Sequence, residues 1–129
     1  MILLDTHVLL WMASDDKRLS KRAHEVIRKA REETAIAVAT ITLWEIAWLA
    51  QNRRIEVLGS VEPFVRELAA RVILRPVTPE IAALSVRLPD TFPKDPSDRL
   101  IAATAMVEGM PLVTADTRIQ RSKVVETVW

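Results

Sequence analysis

Four short apolar runs place the tightest limit on how this chain folds. Ile2–Leu4, Ala35–Ala39, Val72–Leu74 and Leu112–Thr114 are each bounded by polar or turn-forming residues. They are too short for buried helices and suit strands covered on both faces. The longer segments between them carry helix signals. His7–Met12 reads as a brief helix, and Ser20 as the N-cap of a helix running to about Glu33. Thr42 opens a helix with Glu45 three residues later, the spacing of a capping box, and Ser60 caps another through Arg71. Thr78-Pro79-Glu80 begins the next, with proline at the first position, where its missing N–H does no harm. Residues 89–96 hold three prolines and form a loop. Asp95-Pro96 then starts a helix that Gly109 ends and Pro111 cannot continue. Val124–Val128 is a candidate last strand. Short strands alternating with helices indicate an α/β fold with a mostly parallel sheet, in which ligands bind at the carboxyl ends of the strands.

Composition narrows the class. A chain of 129 residues with no repeat or linker reads as a single domain over 1–129. It has no cysteine, which excludes disulfides and thiolate metal sites. No apolar run approaches the roughly 20 residues of a spanning helix. Met1–Asp5 lacks the basic start of a secretory signal, so a cytoplasmic protein with no membrane partner is expected. The net charge of +1 gives no global cationic field. From Lys17 to Arg31, however, seven basic residues face one acid, Glu25. That run is either a solvated helix face or a track for a phosphate backbone.

The acids fall where such a fold builds its site. Asp5 follows the first strand and Asp116 follows Leu112–Thr114. Asp95 and Asp98 open a helix, and Glu45 lies in the first turn of another. Carboxylates gathered from these ends would raise one another's pKa unless a cation joined them. A hard divalent ion with oxygen ligands meets that need and can activate water in phosphodiester hydrolysis. Each acid also has a local reading. Glu45 can complete a capping box, Asp95 can cap its helix, Asp98 can favour the helix dipole, and Asp116 can make an Asx-turn.

The segments Ile2-Leu3-Leu4-Asp5-Thr6-His7, Thr42-Leu43-Trp44-Glu45-Ile46, Asp95-Pro96-Ser97-Asp98-Arg99-Leu100-Ile101-Ala102-Ala103 and Leu112-Val113-Thr114-Ala115-Asp116 together resemble, in this order, the motifs of PIN-domain ribonucleases. The chain is most similar to the VapC toxins of toxin–antitoxin pairs. The resemblance implies a three-layer α/β/α sandwich and Mg²⁺- or Mn²⁺-dependent cleavage of RNA. It also implies a cognate antitoxin and self-association as a homodimer. It matches Asp5, Glu45, Asp98 and Asp116 to the family's metal-binding acids, and Asp95 to an additional one. Ser97 departs from the motif, which often has an aromatic residue there.

Other residues carry two readings each. Thr6 and Thr114 orient metal-site groups or satisfy backbone atoms. Arg99 neutralises the acids, contacts phosphate or makes a structural salt bridge. His7 serves as a base or stands by, since a two-metal site ionises water without one. Trp44 and Trp48 share a helix face by their spacing. With Trp11 they read by default as core, and otherwise as anchors of an apolar groove for a partner helix, a reading that the resemblance to antitoxin-binding grooves strengthens. Arg53 and Arg54 favour the helix C-terminus or bind RNA or an acidic antitoxin tail. Two rivals remain: a PIN fold without catalysis, serving RNA binding or assembly, and a haloacid-dehalogenase-like phosphatase. The phosphatase wants an acid two residues after Asp5, where His7 stands.

Overall fold

A computed structural model describes residues 1–129. The order of elements is β1 Ile2–Leu4, α1 Thr6–Ser14, α2 Lys21–Glu32, β2 Ile36–Ala39, α3 Ile41–Gln51, α4 Val61–Ala69, β3 Ile73–Arg75, α5 Pro79–Arg87, α6 Pro96–Glu108, β4 Leu112–Val113, α7 Thr117–Ser122 and β5 Thr127–Val128. The five strands form one sheet in the order β3-β2-β1-β4-β5, and every pairing is parallel. The mostly parallel sheet expected from the short apolar runs is thus entirely parallel.

Alternation along the strands divides the interior into two halves. Ile2, Leu4, Ile36, Val38, Val113 and Val128 face one side, where they pack with Val8 and Leu9 of α1, Ile27 of α2, Ile46 of α3 and Leu68 of α4. Leu3, Ala37, Ala39 and Leu112 face the other, against Ile101, Ala102 and Ala105 of α6 and Ile119 of α7. Helices on both faces make three layers, and strands buried on both sides explain why their sequences are apolar throughout rather than alternating. The alanines on the α6 side let that helix lie close to the sheet. Leu3, Leu4, Ile46 and Ile101 are fully buried, each worth about 1.5–3 kcal/mol over an exposed side chain. Gly109 ends α6 in the left-handed conformation, φ +66°, its N–H bonding back to carbonyls of the last turn.

This strand order fixes where a site can form. The chain steps outward from β1 through β2 to β3, then returns to place β4 on the other flank of β1. The crevice at the carboxyl ends of β1 and β4 is the point where the order reverses, the general position of ligand sites in such sheets.

Several local expectations need correction. Helix α3 starts at Ile41 after Thr40, and no side chain caps it. Thr42 and Glu45 therefore form no capping box, and both are free to face the crevice. Ser60 stands at the N-cap of α4 without a side-chain hydrogen bond, and the helix ends at Ala69 rather than Arg71. Helix α7, unannounced by any apolar periodicity, is a six-residue turn started by Asp116. No helix is long and apolar enough to cross a membrane.

Candidate active site

Asp5 leaves β1 with its N–H bonded to the Val113 carbonyl, 3.0 Å, which ties it to the end of β4. One carboxylate oxygen caps α1 by accepting from the Thr6 N–H at 2.9 Å. The other accepts from the Thr114 hydroxyl at 2.7 Å. The Thr114 oxygen in turn accepts the Asp116 N–H at 3.1 Å, so one buried threonine links the two strand-end acids. Across the crevice the Thr6 hydroxyl donates to Glu45 Oε1 at 2.7 Å. Thr6 has only one hydroxyl proton, and it is committed to Glu45. The 3.3 Å contact between the Thr6 and Thr42 hydroxyls therefore has Thr42 as donor. Thr6 and Thr114 orient the acids, and Thr42, buried and read from sequence only as a helix start, orients Thr6.

Asp98 projects from the first turn of α6 into the same cleft. Its nearest cation is Arg118, 3.9 Å away. Asp95, the N-cap of α6, accepts from the Ser97 N–H at 2.8 Å and is exposed. Its local reading as a helix cap is therefore realised, and Ser97 is buried where the family motif often has an aromatic. Asp116 caps α7, accepting from the N–H groups of Arg118 and Ile119. The cleft that these side chains line, about 370 Å³, holds Asp5, Glu45, Asp95, Asp98 and Asp116 with His7, Trp11 and Arg118. All five predicted acids meet there.

Their electrostatics follow from burial and like charge. Burial raises the Asp5 carboxyl above its usual range, against the hydrogen bonds from Thr114 and Thr6. Burial also raises Glu45, reinforced by Asp5 and Asp95. Asp98 is pushed up to about 7, first by burial and then by repulsion from Asp5, Asp95, Glu45 and Asp116. Asp116 alone is lowered, because Arg118 hydrogen-bonds it. The site thus holds more negative charge than its own residues neutralise.

The donors are oxygens, the set preferred by hard divalent ions. No group of three or more acidic or histidine side chains lies close enough to hold an ion among themselves. The residues fit an ion such as Mg²⁺, which keeps several waters and takes only one or two carboxylates directly.

Three expectations change here. Arg99 neither meets the acids nor makes a salt bridge. Its guanidinium donates to the carbonyls of Pro93 and Leu88 at 3.0 Å, and more distantly to Ser85, Pro89 and Phe92, so it pins the proline loop to α6. Trp44 and Trp48 are not core: they are 59% and 43% exposed. Of the five aromatic and basic residues considered together, four line two neighbouring cavities, with Arg54 reaching from one to the other, and Arg53 lines neither. Trp44 and Trp48 line a cavity with Ile41, Leu49 and Leu100 that borders the cleft at Glu45 and Asp95. Trp11 and Arg54 line another between α1 and α4, with Leu10, Ile55 and Phe64, that borders the cleft at His7. Arg54 also lies 5.8 Å over the Trp48 ring. Arg53, just past the C-cap of α3, takes a left-handed backbone, φ +55°, and is exposed. The basic run sits exposed on and before α2, and Arg18 from it lies 5.0 Å over the ring of cleft-lining Trp11. Arg118 was not anticipated. The Asp-x-Arg triplet is the signal for it, since Asp16-Lys17-Arg18, just after α1, makes the same fork.

The comparisons agree on one family. The PIN domain model matches residues 2–124. The chain is 43% identical to Ribonuclease VapC22 of Mycobacterium tuberculosis, covering 99% of this chain and 98% of that one. Among solved structures, VapBC2 from Rickettsia felis bound to a promoter DNA fragment aligns with a TM-score of 0.73 at 16% identity, over 99% of this chain and 98% of that chain. DNA-bound VapBC from Salmonella typhimurium aligns at 0.70 and 18% identity, with the same coverage. At these identities the structural likeness speaks for the fold.

Proposed function

The chain belongs to the PIN domain family, and from that premise we propose that it is a divalent-metal-dependent endoribonuclease, the toxin of a toxin–antitoxin pair. The observation that carries this reading is the convergence of Asp5, Glu45, Asp98 and Asp116 on one cleft at the strand-order reversal, in a chain 43% identical to a ribonuclease. Our reading takes 1–129 as a single nuclease domain acting in the cytoplasm.

Asp5, Glu45, Asp98 and Asp116 hold the ion or its waters, with Asp95 at the rim. Mg²⁺ or Mn²⁺, when bound, supplies positive charge for the scissile phosphate and lowers the pKa of water. The chain does the rest. Thr114 and Thr6 fix the Asp5 and Glu45 carboxylates from behind, so the acids meet a cation without first reorganising. Asp98, raised to about 7, holds a proton for part of the time near neutral pH, and a bound cation would favour its ionised form. The test is cleavage of an RNA with and without Mg²⁺. A catalytically silent RNA-binding module is the lesser reading, since no acid of the four is missing.

Asp95 differs from Asp98 in having a task of its own at the helix start. Asp95→Asn keeps an acceptor for the Ser97 N–H, so its melting temperature should match wild type and its cleavage rate should fall without vanishing. Asp95→Ala should cost about 0.5–2 kcal/mol of stability. Complete inactivity of Asp95→Asn, with circular dichroism unchanged, would make Asp95 a direct ligand.

The two aromatic faces suit two partners. The Trp11 and Arg54 groove, with charged walls and an opening onto the acids at His7, suits an antitoxin helix whose basic tail reaches the cleft. The Trp44–Trp48 face, apolar and centred on exposed aromatics, suits a second copy of the chain in a homodimer. Trp48→Ala should therefore sediment as a monomer while still binding the antitoxin. A variant that stays dimeric and loses the antitoxin would reverse the assignment.

A further inference from the structure

Arg118 is the one lysine or arginine lining the acid-walled cleft. Its backbone N–H donates to Asp116 Oδ1 at 2.8 Å, its Nε to the same oxygen at 3.2 Å, and its Nη2 to Oδ2 at 2.9 Å. Both carboxylate oxygens of Asp116 are therefore engaged. The same Nη2 stands 3.9 Å from Asp98 Oδ2, so one guanidinium spans two acids. The Arg118 side chain is 69% exposed, and its guanidinium donates to no residue other than Asp116. Nothing packed holds it in place.

We infer that Arg118 is a displaceable counter-ion: it occupies Asp116 and faces Asp98 when no other cation is in the cleft, and a divalent ion must win Asp116 from it. Arg118 thereby sets the cation affinity of the site. This rests on the reading of the cleft as a divalent-cation site. A carboxylate gripped at both oxygens by a guanidinium presents fewer free lone pairs to an incoming ion. Freeing Oδ2 of Asp116 requires moving only the exposed Arg118 guanidinium, while the backbone N–H groups of Arg118 and Ile119 stay on Oδ1, so displacement lies within reach of ordinary ion binding. Asp16 and Arg18 form the same fork, with distances of 2.8, 3.0 and 2.7 Å, but Asp16 is not one of the cleft acids. The fork is thus a local habit of the Asp-x-Arg triplet, and the reach to Asp98 is what distinguishes Arg118.

The experiment is calorimetric titration of the full-length chain with Mn²⁺ at fixed pH and ionic strength, with free Mn²⁺ counted by its paramagnetic resonance. Arg118→Gln should bind Mn²⁺ about two- to fivefold more tightly than wild type. Arg118→Lys keeps the charge but loses the fork, so its affinity should fall between the two. Arg18→Gln removes an equal charge from the matching fork and should behave as wild type. Equal affinity in wild type and Arg118→Gln overturns the inference and leaves the cation site standing. An equal gain in Arg18→Gln also overturns it, because the effect would then be one of overall field. Failure of every protein to bind Mn²⁺ removes the cation site and the inference together.

Discussion

Asp98→Asn should lose RNA cleavage by at least about 100-fold and, in EDTA at about pH 8, melt several degrees above wild type. The two effects have one cause. Asp98 is held among four other acids with no cation nearer than Arg118 at 3.9 Å, and its pKa is raised from 3.8 to about 7. Between those values the unfolded chain has released the Asp98 proton while the folded chain still binds it. Raising the pH from about 4 to about 7 therefore costs stability, and the full loss is reached above about 7. The shift corresponds to roughly 1–3 kcal/mol once solvent screening and coupling among the acids are allowed for. Asparagine carries no titrating proton and no charge, so the variant escapes this loss. Thermal melts across this pH range in EDTA should show wild-type stability falling with pH and a flatter line for Asp98→Asn. A variant less stable than wild type at about pH 8 would mean that Asp98 has partners in the fold that the geometry does not reveal.

The second large effect separates the charge of Asp5 from its structural duties. Asp5 caps α1, accepts the Thr114 hydroxyl and is raised in pKa by burial. Asp5→Asn retains an acceptor for the Thr6 N–H, and its amide N–H can donate to the Thr114 oxygen in place of the hydrogen bond that is lost. It should therefore fold and be inactive. Asp5→Ala removes the cap and leaves Thr114 without its acceptor, so it should be inactive and less stable than Asp5→Asn by roughly 1–3 kcal/mol. Urea unfolding of the pair measures the difference. Equal stability would show that Asp5 contributes only charge, and an active Asp5→Asn would remove it from the site.

Much of this arrangement is readable in the chain because strand ends are readable. A three-residue apolar run followed by an acid places that acid at a strand's carboxyl end, and a parallel sheet gathers such ends together. Asp5 and Asp116 follow from this directly, and Asp98 follows from the Asp95-Pro96 helix start. What could not be read was side-chain direction. Asp98 and Arg99 are neighbours in sequence, yet consecutive helical residues point about 100° apart, since a turn takes 3.6 residues. One enters the cleft and the other turns to the loop carbonyls of 88–93. Helix α3 is apolar on nearly every side, so its sequence cannot say which face is covered. That is why Trp44 and Trp48 passed equally well for core. Arg118 escaped because α7 is too short to announce itself by periodicity, and only its repeat of the Asp16–Arg18 fork marks it.

The most direct test of the central claim is cleavage of a single RNA by wild type and Asp5→Asn, each with Mg²⁺ and with EDTA, on protein shown to be folded. The account predicts cleavage by wild type with Mg²⁺ alone, and none in the other three reactions. Cleavage by wild type in EDTA equal to that in Mg²⁺, or cleavage by Asp5→Asn, would contradict it.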